Sequence, residues 1–226
     1  MKPLVTPTLK VVECPRDAMQ GWHHQIPTEL KVRYLNSLLE VGFDTLDFGS
    51  FVSPKAIPQL ADTESVLQGL QLEGSKTRLL AIVANLRGAE QAVRFPQISY
   101  LGFPFSVSEE FQRRNTNSTI EESLVRVEEI QRLCISNNKE LVIYISMGFG
   151  NPYGEPFNEE IVISWSKRLS DMGIRIIALS DTVGVSEPGI ITRLFSALIP
   201  ELSAVEFGAH LHSNPATWQE KVDAAF

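Results

Sequence analysis

The chain has 226 residues, of which 43% are hydrophobic, 21% charged and 8% aromatic; this balance fits one globular domain with a buried core and excludes a collagen-like repeat, a coiled coil or a disordered tail. A net charge of −7 supplies no basic field for a phosphate backbone, so nucleic acid is not an expected partner and an anionic small molecule needs a local cationic anchor. Two distant cysteines, Cys14 and Cys134, an N-terminus too short and polar for a signal segment, and a longest apolar run of 141–145, far below the roughly 20 residues of a membrane span, lead to the expectation of a soluble cytoplasmic protein.

Short apolar runs rich in β-branched residues alternate with stretches of helical period, the rhythm of βα units around a parallel sheet. Strands are predicted at 9–13, 45–48, 78–83, 97–101, 140–146, 174–179 and 204–210. Between them, Thr28 is placed as the cap of a helix carrying Val32, Leu35, Leu38 and Leu39, with Gly42 past its end. Residues 118–121 read S-T-I-E, a capping box before the helix of Leu124, Val127, Ile130 and Leu133. Asn158 opens a helix that stops near Gly173, and Ser186 with Pro188 opens another that ends before Pro200. No composition shift divides the chain, so residues 1–226 are read as one domain.

A doubly wound sheet and a (β/α)8 barrel both fit this pattern. No G-x-G-x-x-G follows the first strand, and polar residues gather just past several strand ends, as barrel active sites require. Seven units fall one short of a closed barrel.

His210-Leu211-His212 is the most informative motif. Positions two apart on a strand share a face, so both imidazoles point the same way, with Gly208 and Glu206 behind them and Val205, Phe207, Ala209 and Leu211 opposite. Two such nitrogens can serve one divalent metal; two half-exposed histidines at a strand end are the alternative. Asp17 can add a carboxylate oxygen, a set suited to Mg2+ or Mn2+. Arg16 beside it offers a planar cationic fork for a carboxylate or enolate, the alternative being a surface ion pair. Asp47 alternates with Leu46 and Phe48 and so faces inward, as a partner of Arg16, a catalytic group, or both. Asp181-Thr182 reads as a turn or as support for the site. His23 and His24 are placed in a loop facing water, the two cysteines in the core, and the Gly- and Pro-rich segment 147–156 as a lid.

Residues 13–20, E-C-P-R-D-A-M-Q, resemble the P-R-D-G signature of the 3-hydroxy-3-methylglutaryl-CoA lyases of the DRE-TIM metallolyase superfamily. Residues 50–59, S-F-V-S-P-K-A-I-P-Q, resemble a stretch of the same lyases, and N-T-N-S-T-I-E-E-S at 115–123, S-D-T-V-G at 180–184 and His210-x-His212 follow in the family's order. The resemblance implies a TIM-type (β/α)8 barrel with about seven βα units in this chain, Asp17, His210 and His212 as ligands of Mg2+ or Mn2+, and Arg16, Asp17, Asp47 and His210 as catalytic residues. It further implies Arg16, Gln20, Asp181 and Thr182 as the binding set for an acyl-CoA, with no nucleic acid, no membrane and a homodimer among the arrangements allowed. The implied reaction is the retro-Claisen cleavage of 3-hydroxy-3-methylglutaryl-CoA to acetyl-CoA and acetoacetate in leucine breakdown. Ala18 stands for the family's Gly, G-W-H-H at 21–24 for an N-E-K-like run, and Ser213-Asn214-Pro215 for D-T-x-G. The eighth strand, the G-G-C-P loop with its Cys and the Asn ligand have no counterpart here, so an incomplete barrel is expected. A related condensing enzyme or aldolase, and an inactive or partner-completed binding protein, are the alternatives.

Overall fold

Among the described residues seven strands, all parallel, lie side by side in chain order: β1 (Val12–Glu13), β2 (Thr45–Ser50), β3 (Arg78–Ile82), β4 (Ile98–Ser106), β5 (Glu140–Ser146), β6 (Ile176–Ser180) and β7 (Glu206–His210). The computed structural model describes residues 9–226, and the part of the N-terminal reading that falls on residues 1–8 lies outside it. The helices between them are α1 (Pro15–Gln20), α2 (Thr28–Val41), α3 (Thr63–Gln68), α4 (Leu86–Ala92), α5 (Glu109–Thr116), α6 (Ile120–Ser136), α7 (Glu159–Asp171), α8 (Pro188–Glu201) and α9 (Trp218–Ala225). No helix among the described residues is long and apolar enough to cross a membrane.

The sheet is curled. Lys10, just before β1, pairs with Glu206 at the start of β7, while Asp17 above β1 meets His210 and His212 at the other end of β7. The two end strands therefore approach each other at both rims, and the architecture is that of a (β/α)8 barrel with seven βα units.

Strand alternation separates two apolar layers. Leu46, Phe48, Leu79, Leu101, Phe103, Ile143, Ile177 and Leu179 point outward and pack with α2, α4, α6, α7 and α8 in the main core. Each fully buried Leu, Ile or Phe of this layer contributes roughly 1.5–3 kcal/mol from apolar area removed from water. Leu80, Ile82, Tyr100 and Val142 point inward as a small floor. Polar side chains sit above that floor, at the C-terminal rim.

Several element boundaries differ from those predicted. Among the described residues β1 pairs with β2 alone, through two residue pairs, and Leu9 and Val11 stay exposed outside the strand. β4 continues through Gly102 and Pro104 to Ser106; past Gly102 its ladder partner is β5 alone, an environment that tolerates proline. Thr28 lies inside α2 after the Pro27 N-cap, its hydroxyl donating instead to Asp62 at 2.7 Å. The capping box is one residue later than S-T-I-E: Thr119 and Glu122 bond each other's backbone, while the Ser118 hydroxyl bonds Thr116 and Ser123. Ser186 does not cap α8; its hydroxyl donates to Asp181 at 2.6 Å. α8 ends at Glu201, carrying Pro200 in its last turn.

Candidate active site

β1 ends at Glu13, and Pro15 at the first position of α1 starts a six-residue helix directly above the strand. Its single turn and a half presents Arg16 and Gln20, four apart, on one side, and Arg16 Nη1 donates to Gln20 Oε1 at 3.1 Å. Below, β2 aims Asp47 inward with no exposure. Arg16 forks over it: Nε donates to Oδ1 and Oδ2 at 3.2 and 3.0 Å, and Nη2 to Oδ2 at 2.7 Å. Nη1 also reaches Asp17 Oδ1 at 2.9 Å. A guanidinium has five N–H donors, so one N–H on Nη2 has no acceptor among the described residues. Burial opposes the charge on Arg16, but the charge and hydrogen bonds of Asp47, and then Asp17, outweigh it and raise its pKa above the ordinary value.

From the far side of the opening, β7 delivers His210, and its continuation delivers His212. Asp17 Oδ2 lies 3.5 Å from His210 Nε2 and 3.3 Å from His212 Nε2. Contact with His210, the charge of Arg16 and the hydrogen bond of His212 hold the Asp17 carboxyl well below the usual carboxylate range, against its partial burial. His212 Nδ1 faces Thr182 O at 3.2 Å, which leaves Nε2 as the nitrogen directed at Asp17. A backbone partner on one ring nitrogen is the usual way a ligating imidazole is oriented. The ligand atoms of Asp17, His210 and His212 all lie within 4.8 Å of one another. One hard oxygen and two imidazole nitrogens, brought from opposite ends of the sheet, fit a divalent cation.

Sequence reasoning missed two groups here. Tyr144 on β5 stands edge-on to His210, with ring centroids 5.8 Å apart. Burial, with the charge of Asp47, raises its hydroxyl well above its ordinary pKa, so it remains a neutral donor. The two-residue period from Val142 on the inner floor carries the signal for its orientation. Ser180 is the register partner of His210 on the neighbouring strand, and its buried hydroxyl has no hydrogen-bond partner among the described residues. A buried hydroxyl without a partner at the rim is a polar group available to something bound there.

Other predicted positions fall elsewhere. Asp181 is not brought into the site: its carboxylate is buried and accepts from Ser186 N, Ser186 Oγ and Lys221 Nζ at 3.0, 2.6 and 2.8 Å. Its own N–H donates to His210 O at 2.9 Å, behind the site. Thr182 offers its carbonyl to His212, while its hydroxyl accepts from Met147 N at 2.8 Å. His23 and His24 are exposed; His23, Trp22, Gln20, Ile57 and Gln59 line a cavity of about 340 Å³ that adjoins Arg16 through Gln20. The segment 147–156 is pinned, since Glu155 accepts from Ser108 Oγ and from Glu110 N at the start of α5. Cys134 lies in the outer core and Cys14 is half-buried beneath the site. Burial pushes both thiols up to about 12, for Cys14 with the added charge of Asp47.

The family model HMGL-like matches residues 11–217. Among curated relatives, a mouse mitochondrial hydroxymethylglutaryl-CoA lyase is 33% identical over 207 residues, 90% of this chain and 62% of the relative. A human cytoplasmic 3-hydroxy-3-methylglutaryl-CoA lyase is 34% identical over 208 residues, 90% of this chain and 55% of the relative. This chain thus spans less than two thirds of the length of the curated relatives it matches. Among solved structures, an HMG-CoA lyase from Bacillus subtilis superposes with a TM-score of 0.89 at 31% identity, covering 97% of this chain and 74% of that one. One from Acinetobacter baumannii, in complex with coenzyme A and 3-methylmalate, gives 0.88 at 30% identity over 96% of this chain and 70% of that one.

Proposed function

The chain belongs to the HMGL-like family, and from that membership we propose that it is a carbon–carbon lyase that cleaves 3-hydroxy-3-methylglutaryl-CoA to acetyl-CoA and acetoacetate, the step expected in leucine breakdown. The observation that carries this reading is the meeting of Asp17, His210 and His212 beside the Arg16 fork, at the rim where barrel enzymes do their chemistry. The names of the relatives and the coenzyme A complex of the Acinetobacter neighbour support the substrate class. Asp17, His210 and His212 would hold Mg2+ or Mn2+, which when bound supplies Lewis-acid polarisation of substrate oxygens.

The reaction removes the proton of the tertiary 3-hydroxyl, turns that oxygen into the ketone of acetoacetate, breaks the C2–C3 bond and leaves its electron pair on the thioester enolate. A proton delivered to C2 then completes acetyl-CoA. The chain's own groups match these demands. Asp17 and His210, 3.5 Å apart at the rim, are the two candidates for taking the hydroxyl proton. The Nη2–H of Arg16 that lacks an acceptor is a preset donor for the enolate oxygen, and Asp47 keeps the fork from swinging. Tyr144, whose hydroxyl burial keeps protonated, adds an uncharged polar group edge-on to His210. The cavity lined by Trp22, His23, Ile57 and Gln59 gives the thioester arm a berth of mixed polarity next to Gln20. A cytoplasmic setting is part of the proposal, supported by the human relative of that description.

The test is acetoacetate release from 3-hydroxy-3-methylglutaryl-CoA with added Mg2+ or Mn2+. The proposal expects release that EDTA abolishes and that Arg16→Lys, which keeps the charge but loses the fork, lowers by about 100- to 1,000-fold in kcat. Release insensitive to EDTA and to Asp17→Ala would overturn it.

A further inference from the structure

Lys221, on the terminal helix α9, has a side chain only 5% exposed, and its ammonium reaches into the back of the site. Its three donors have three acceptors: Asp181 Oδ2 at 2.8 Å, His212 O at 2.9 Å and Gly184 O at 3.3 Å. An ammonium has three N–H bonds, so none is left for another role. The three acceptors belong to the two segments that carry or orient a histidine of the site. Asp181 N donates to His210 O, Thr182 O meets the His212 ring, and Gly184 closes the turn between them by donating its N–H to Asp181 O at 3.1 Å. His212 itself lies past the end of β7, where the ladder with β6 has stopped at the Ser180 and His210 pair. The sheet therefore does not fix the His212 backbone.

We propose that Lys221 is a positioning residue for the cation site: by gripping the His212 carbonyl and the 181–184 turn together, it sets the approach of the His212 ring to Asp17. The inference rests on the metal reading above and assigns that site's geometry to a residue of α9 that touches neither cation nor substrate. The same helix is also tied to α8 by Thr192 Oγ1, which donates to Ala224 O at 3.1 Å, a contact that touches neither the His212 carbonyl nor the 181–184 turn.

Two variants separate positioning from plain stability. Lys221→Met leaves Asp181 buried without its cation and can unfold the chain; the double variant Asp181→Asn with Lys221→Met removes the charge and the grip together. Thr192→Val loosens α9 without touching the 181–184 turn. In the metal-free full chain, NMR signals of His212 and Gly184 are expected to shift and broaden in the double variant and to stay sharp in Thr192→Val. Mn2+ titration is expected to show a Kd at least about tenfold weaker for the double variant, the size typical of losing an outer support of a ligand, and unchanged for Thr192→Val. Unaltered His212 signals with wild-type Mn2+ affinity in the double variant would overturn the proposal. A wild-type chain that binds no Mn2+ would instead refute the metal reading, and the metal-free His212 signals would still decide the role of Lys221.

Discussion

Arg16 and Asp47 are locked together beneath the rim, with two guanidinium nitrogens on one carboxylate oxygen at 3.0 and 2.7 Å and neither side chain more than 9% exposed. A pair this buried has already lost most of its hydration, and removing one member leaves the other uncompensated. Asp47→Ala is therefore expected to lower stability by about 3–5 kcal/mol in urea unfolding. Arg16→Met combined with Asp47→Leu removes both charges and should recover a large part of that loss. A double variant as unstable as the single one would contradict the account.

Gly88 and Gly21 make an informative contrast. A Cβ at Gly88 would lie 2.3 Å from the Phe51 carbonyl, backbone that cannot swing aside, so α4 sits against the end of β2 only because the side chain is missing. Gly88→Ala is expected to cost about 1–3 kcal/mol. At Gly21 an added Cβ would meet nothing within 4 Å among the described residues and φ is −86°, an ordinary conformation, so Gly21→Ala should stay within about 0.5 kcal/mol of the parent chain. Thermal unfolding of the two variants checks both.

Cys134, raised by burial to about 12 from an ordinary 9.0, should be inert in the folded chain. Near pH 8 its thiolate fraction is about a thousandfold below that of an unfolded cysteine, and it rises tenfold per pH unit up to about 12. Iodoacetamide labelling followed by mass spectrometry should show slow modification that accelerates sharply in urea. The linkage has a definite sign. Between 9 and 12 the unfolded chain binds fewer protons at this residue than the folded chain, so its contribution to stability is complete below pH 9 and declines as pH rises toward 12. Rapid labelling of Cys134 in the folded protein at pH 8 would contradict its placement.

The parallel sheet was legible because each strand is an apolar, β-branched run, and the side chains at its rim were legible from the period of two. That period alone puts His210 and His212 on one face and turns Asp47 away from Leu46 and Phe48. Where two residues of the same type compete for one role, only tertiary contacts decide. Ser118 and Thr119 are both plausible caps by chemistry, but the Ser118 hydroxyl is buried against Thr116 and Ser123, which leaves the cap to Thr119. Thr28 and Ser186 were drawn from capping by Asp62 and Asp181 in the same way. Lys31 and Lys221 are harder still. A lysine on a helix reads as solvent-facing, yet both are buried, because carboxylates and carbonyls from distant segments, Asp62 with Gln59 O and Asp181 with His212 O, surround each ammonium. Asp181 shows the converse: its position after β6 suggests a site residue, but its charge is fully engaged behind the site.

The histidines provide the most direct test of the central claim, that Asp17, His210 and His212 form one cation site. The chain has four, and only two belong to the site, so His23 and His24 serve as internal controls. With ring-labelled histidine, substoichiometric Mn2+ should broaden the His210 and His212 signals first and together, and Asp17→Ala should abolish that selectivity. Broadening that reaches His23 and His24 equally, or that leaves His210 and His212 sharp, would contradict the account.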